Sequence, residues 1–188
     1  NATGEKNTME SVLDRVIKQN TENVNLLKTK DYNIFSVLQI QSKEVLICRM
    51  IADLLNPRGQ HGAGAEYLKI FLRDCLGMEK MDTKLADQAI VTAEYAIDDE
   101  RRIDIVIEIG SYFLPIEVKI YAADQKSQCF DYYQYAKRRD AQAKVYYLTL
   151  DGHRPGKDST SSGNRSVTEE DIVCLSFRVH ILNWLKAC

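Results

Sequence analysis

The stretch Arg101–Ile120, RRIDIVIEIGSYFLPIEVKI, decides the fold. Two β-rich runs flank Gly110-Ser111, and Gly at the first of two loop positions suits a type II′ hairpin turn. With that loop, Ile109 pairs with Tyr112. Counting back along both strands sets Asp104 opposite Glu117, their side chains starting about 5 Å apart on one face. The other face reads Ile103, Ile105, Ile107 and Ile109 against Tyr112, Leu114, Ile116, Val118 and Ile120, a continuous core surface. Burial fixes the register, because a slip of one residue would bury both carboxylates.

Two opposed carboxylates repel, so a cation should lie between them, and Lys119 projects from the same face as Glu117. One reading is a solvated ion-pair cluster of Glu117, Lys119 and Arg102. The other is a divalent metal held by Asp104, Glu117 and the backbone carbonyl of Val118, hard oxygen ligands that suit Mg²⁺. Lys119 would then orient a water or stabilise charge on a phosphate. Glu44 falls on the apolar stripe of its own helix with Ile47, Cys48, Ile51 and Leu55, where a carboxylate is costly unless paired or bound to metal. The competing reading is an acid in a helix's first turn, favoured by the dipole. Beyond the hairpin, Asp124, Gln125, Gln128 and Tyr132 share one helix face, offering amide and phenol groups to water or phosphate.

Working outward, helical spacing covers residues 8–30, then Ser42–Leu55, stopped by Asn56-Pro57, then Ala65–Leu76. Strands are expected over Ala89–Ile97, Arg102–Ile109 and Tyr112–Ile120. A helix over Gln125–Arg139, a strand over Lys144–Leu150, a polar loop over Asp151–Thr168, a strand over Ile172–Ser176 and a helix with Ile181, Leu182, Trp184 and Leu185 complete the chain. That order is an α/β sandwich in outline. At 188 residues, one domain burying roughly 70% of its unfolded surface is expected, with residues 1–41 as a helical extension. The chain opens on Asn1 and ends at Cys188 directly after an apolar helical stretch, which leaves room for a longer native chain.

Nine glycines and three prolines exclude a collagen-like or low-complexity chain. A formal net charge of −2 lacks the basicity of a nucleic-acid coat or an anionic-membrane binder. The average hides a split: residues 79–124 carry five Lys/Arg against eleven Asp/Glu, and residues 125–144 carry five against two. Five cysteines without CxxC or zinc spacing read as reduced thiols. Without a leader or an apolar run of about 20 residues, a soluble, cytoplasmic protein with no membrane contact is expected.

The ordered set of Glu44, Asp104, Glu117-Val118-Lys119 and Gln125 resembles the PD-(D/E)xK nuclease superfamily. Closer still, LLNPRGQHGAG, RRIDIVIE, IEVKIYAADQKSQCFDYY and HILNWLKAC resemble its bacterial branch with R-I-D, I-E-x-K-I and D-Q-x-x-Q-x-x-x-Y motifs, over about Ser42 to Cys188. The resemblance implies a restriction-endonuclease-like three-layer sandwich, a mixed sheet with an αβββαβ core. It also implies Mg²⁺-dependent hydrolysis of DNA phosphodiesters, with Mn²⁺ substituting, in defence, repair or mobile-element biology. Carried over, Asp104 and Glu117 bind metal, Lys119 positions the attacking water, Glu44 completes the acidic site and Gln125 supports it. Ile103 stands where the name-giving proline would be, a position that does no chemistry. The alternative is a catalytically silent module that keeps the fold to bind nucleic acid or a protein.

Several residues are candidate substrate contacts beside Arg102, Gln128 and Tyr132. His61 lies in a Gly-rich loop before a helix, without the Lys of a P-loop. Lys137-Arg138-Arg139 is either a solvated helix end or a phosphate contact. The loop Asp151–Thr168 is long enough to close over substrate or to be disordered. Nucleases that cut both strands often pair, so a homodimer stays open, although no interface is legible.

Overall fold

The structure, a computed structural model, describes residues 44–79 and 81–188. The helix expected over residues 8–30 and the extension over 1–41 lie outside the described residues. In chain order the elements begin with α1 (Glu44–Leu55), α2 (Glu66–Asp74) and a short α3 (Thr83–Ala86). Then come β1 (Ile90–Ala96), β2 (Arg102–Ile109), β3 (Tyr112–Lys119), α4 (Gln128–Arg139) and β4 (Val145–Thr149). A short α5 (Lys157–Thr160), strands β5 (Ser161–Ser162) and β6 (Arg165–Ser166), and β7 (Ile172–Ser176) follow. A π-helical turn over Phe177–Ile181 leads into α6 (Leu182–Ala187).

Five strands form one mixed sheet in the order β1-β2-β3-β4-β7. The first three are antiparallel neighbours, while β4 and β7 run parallel to β3. The hairpin has the expected register, Ile109 against Tyr112 through Ile105 against Ile116. Gly110 carries a φ of 57° and Ser111 stays at negative φ, as a type II′ turn requires.

One side of the sheet is covered by α1, α2 and α6. Cys48, Ile51 and Leu55 of α1, Leu68 and Phe71 of α2, and Trp184 of α6 pack on Ile105, Ile107, Ile109, Leu114, Ile116 and Val118. Trp184 is fully buried, and its indole N–H donates to the Tyr67 carbonyl at 2.8 Å. The other side is covered by α4, with Tyr132 and Ala136 on Val106, Phe113 and Val145, and Cys129 and Phe130 beside Tyr147. The result is the restriction-endonuclease-like α/β/α sandwich.

The structure departs from the sequence reading in three places. Ile103 does not share the face of Ile105, Ile107 and Ile109; it joins the Val106, Phe113 and Tyr132 cluster. Opposite this point Glu94 takes a left-handed φ of 55°, and the β1–β2 ladder skips the Glu94–Asp104 pair. Simple alternation fails across such a break. Second, the helix expected from Gln125 starts at Gln128, because Ser127 is left-handed with φ 58°. Third, the expected loop Asp151–Thr168 contains α5 and the β5–β6 ribbon and is tied down. The Ser127 amide donates to the Asp158 carbonyl at 2.7 Å, the Gly156 amide donates to Asp124 at 2.7 Å, and Val167 is buried.

Candidate active site

Strand β3 lies in the sheet's interior and is buried on both faces from Phe113 to Lys119. Such a strand should be apolar throughout. Glu117 and Lys119 break that rule, which makes them the chemical exceptions of the core. Their ion pair is real, with Nζ 2.8 Å from Glu117 Oε1, but it is buried rather than solvated.

The carboxylates meet where the hairpin opens. Ladder pairing stops at Ile105 and Ile116. Two residues on, the Val118 amide would pair with Ile103 in a continuing ladder. It donates instead to Asp104 Oδ2 at 2.8 Å. Asp104 thus replaces a main-chain acceptor, and its carboxylate is held beside that of Glu117.

Three carboxylates face one ammonium here, and the titration behaviour follows from that excess. Burial and the Asp104 charge push Glu117 well above the usual carboxylate range, against the pull of Lys119. Burial also raises Asp104, opposed by the Val118 amide and Lys119. Burial acts to lower Lys119, but the charges of Glu117, Asp104 and Glu44 raise it overall, so it stays an ammonium. Glu117 Oε2 is buried and has no hydrogen-bond partner. With both carboxylates ionised it faces only another acceptor, so the cluster calls for a proton or a cation between Asp104 and Glu117. Hard oxygen donors from Asp104, Glu117 and the Val118 carbonyl fit a divalent ion. Among the described residues no three His, Cys, Asp or Glu side chains group as a metal cage. A site of two carboxylates, a carbonyl and waters is consistent with that.

Glu44 has a second task. Its Oε1 accepts the amides of Ile120 and Tyr121 at 2.6 Å and of Ala122 at 2.9 Å, pinning the chain that leaves β3 to the start of α1. Burial would raise its pKa, but the three amides and Lys119 together hold it below the ordinary value. The sequence offered two readings of this residue, a first-turn acid and a carboxylate that is paired or bound to metal. The structure gives it the first-turn position and partners in the bend that follows β3.

The other candidates have partners of their own. Gln128 and Tyr132 are buried and spent inside the fold. The Gln128 amide nitrogen donates to the Tyr132 hydroxyl at 3.1 Å, and that hydroxyl donates to the Arg102 carbonyl. The Arg102 side chain is exposed. Gln125 is exposed, with its carbonyl held by Arg101 at 2.9 Å. Asp124 accepts from the Tyr147 hydroxyl at 2.6 Å and from the Gly156 amide.

His61 is engaged within its loop. Its Nδ1 accepts the Ala63 amide at 3.1 Å, which leaves the proton on Nε2, 3.0 Å from the Asn56 carbonyl, and the ring stacks on Tyr67. Lys137, Arg138 and Arg139 end α4 about 14–17 Å beyond Gln128 at 1.5 Å per residue. There Arg139 packs on Tyr135 and Phe113 near the hairpin turn, and Lys137 pairs with Asp171 at 3.7 Å. Sequence reading passed over Arg101; its place directly before β2 and beside an acidic run was the available signal.

This fold, with carboxylates and a lysine at the opened end of a central hairpin, defines a class of restriction-endonuclease-like domains. A family model described as the PD-(D/E)XK nuclease superfamily matches residues 32–188, and the chain belongs to that superfamily. No curated protein and no solved structure matches it.

Proposed function

We propose that this chain is a DNA endonuclease that hydrolyses phosphodiester bonds with Mg²⁺, Mn²⁺ substituting. The carrying observation is the buried, partnerless Glu117 Oε2 beside Asp104, a carboxylate pair that core packing does not need. Asp104, Glu117 and the Val118 carbonyl would hold the cation. When bound, it would polarise the phosphate and lower the pKa of a coordinated water. Lys119, kept protonated by its neighbours, orients the attacking water and stabilises charge growing on the phosphate. Glu44 holds the backbone after Lys119 in place and completes the acidic set. Five free cysteines fit a reducing cytoplasm, and among the described residues no helix is long and apolar enough to cross a membrane.

The test is nicking of supercoiled plasmid in Mg²⁺, Mn²⁺ or EDTA by wild type, Glu117→Ala and Lys119→Ala. Products are expected from wild type in either metal only. Equal cleavage by all three proteins, or cleavage in EDTA, overturns the proposal. DNA binding without metal uptake in calorimetry would instead identify a silent module.

A further inference from the structure

An amide side chain shows an acceptor on one side and donors on the other, and its neighbours decide which way each faces. Chemistry decides it for Gln125. Arg101 has only donors, so the atom that its Nη1 touches at 2.9 Å must be the carbonyl oxygen. Arg101 is itself fixed, its Nε 3.1 Å from Asp131 and its Nη2 2.5 Å from the Lys126 carbonyl. The neighbouring bonds run in one sense. The Gln125 amide N–H donates to Gln128 Oε1 at 3.4 Å, Gln128 Nε2 donates to Tyr132, and Tyr132 donates to the Arg102 carbonyl. Arg101 and Arg102 lead into the strand that carries Asp104. The ring therefore ties the start of β2 to the chain leaving β3, and Gln125 is its exposed corner, six residues after Lys119.

We infer that Arg101 is a positioning residue that fixes the Gln125 amide with its NH₂ group outward, so that Gln125 meets the substrate as a hydrogen-bond donor to a phosphate oxygen. The inference rests on the nuclease reading and specifies how one residue of that site acts.

Gln125→Glu separates this role from a structural one. The new carboxylate keeps an oxygen for Arg101 and adds an ion pair, but it replaces the outward donor with an acceptor. Expected are a melting temperature at or above wild type, DNA affinity down about tenfold or more, and a rise in KM with kcat little changed. Affinity is read by anisotropy of a fluorescein-labelled duplex with Ca²⁺ in place of Mg²⁺. Ala123→Glu, exposed on the same segment, controls for added negative charge. Arg101→Lys, which keeps one donor on the Gln125 carbonyl, should retain more affinity than Arg101→Met.

Gln125→Glu binding within about twofold of wild type, or Ala123→Glu falling equally far, overturns the inference. A lower melting temperature for Gln125→Glu overturns the placement of its oxygen on Arg101. Failure of the wild type itself to bind and cut DNA is distinguishable, because it removes the nuclease reading together with the inference.

Discussion

Glu44→Ala should unfold the domain more easily even with every divalent ion removed, because the carboxylate's three amide bonds are made without metal. A hydrogen bond to a charged group contributes about 1.5–3 kcal/mol when its partner is left buried and unsatisfied. The Ile120 amide is part-buried and counts in full, whereas the Tyr121 and Ala122 amides are exposed and water replaces much of what they lose. The sum is about 2–3 kcal/mol, or about 5–10 °C in melting temperature for a domain of this size. Glu44→Gln keeps a carbonyl acceptor and should lose only about 1 kcal/mol. The assay is thermal unfolding in EDTA at neutral pH, repeated down to pH 3. The folded Glu44 is held below its ordinary value, so its contribution is present above the unfolded carboxylate range. It is lost as pH falls through the folded value, and the wild-type and alanine curves should converge in acid. An alanine variant that melts within about 1 °C of wild type in EDTA would refute the anchoring role, as would a glutamine variant equally damaged.

Two further outcomes test the electrostatics and the tied-down loop. Glu117 is raised in the folded state, so its ionisation costs stability as pH climbs above the unfolded carboxylate value. In EDTA, Glu117→Gln should therefore melt higher than wild type at pH 8 and converge with it toward pH 4, while Mg²⁺ should raise the melting temperature of wild type only; a variant less stable throughout contradicts the charge-excess argument. Asp124→Asn leaves one acceptor for two donors, the Tyr147 hydroxyl and the Gly156 amide, and should cost about 1–3 kcal/mol in urea unfolding. The same variant should speed proteolysis within residues 151–168, and unchanged cleavage there would show that the loop is held by other contacts.

The hairpin was legible because two independent constraints agree on it. Gly110 at a positive-φ turn position and the isoleucine face demand one register, and that register brings Asp104 to Glu117. The Glu117/Lys119 spacing was legible for the same reason, since period-two alternation is local. What escaped depends on distant partners. A left-handed Glu94, its carboxylate taken by Arg49 at 2.6 Å, moves Ile103 to the other core, and no pattern in β2 itself records that. The start of α4 escaped because its first turn is served from afar: the Cys129 amide donates to Ser159 Oγ at 3.3 Å. Residues 151–168 look like loop because they fold by satisfying polar groups, with little apolar periodicity to detect.

The charge split along the sequence also acquires a different meaning in three dimensions. A basic helix following an acidic strand pair suggests cations lining the site. The helix axis separates them instead, placing Gln128 at the site end and Lys137-Arg138-Arg139 about 14–17 Å away. At that end Arg139 lies over Tyr135 at 4.9 Å and beside Glu108 at 3.4 Å, so its charge is spent on the fold. The nearest cation to the three carboxylates is Lys119, already paired. Phosphate approaching this cluster therefore meets net negative charge until a cation enters. On the proposed function, metal binding should precede or accompany tight DNA binding, and the affinity gained on adding Ca²⁺ should shrink strongly in Glu117→Gln, where one of the repelling charges has gone.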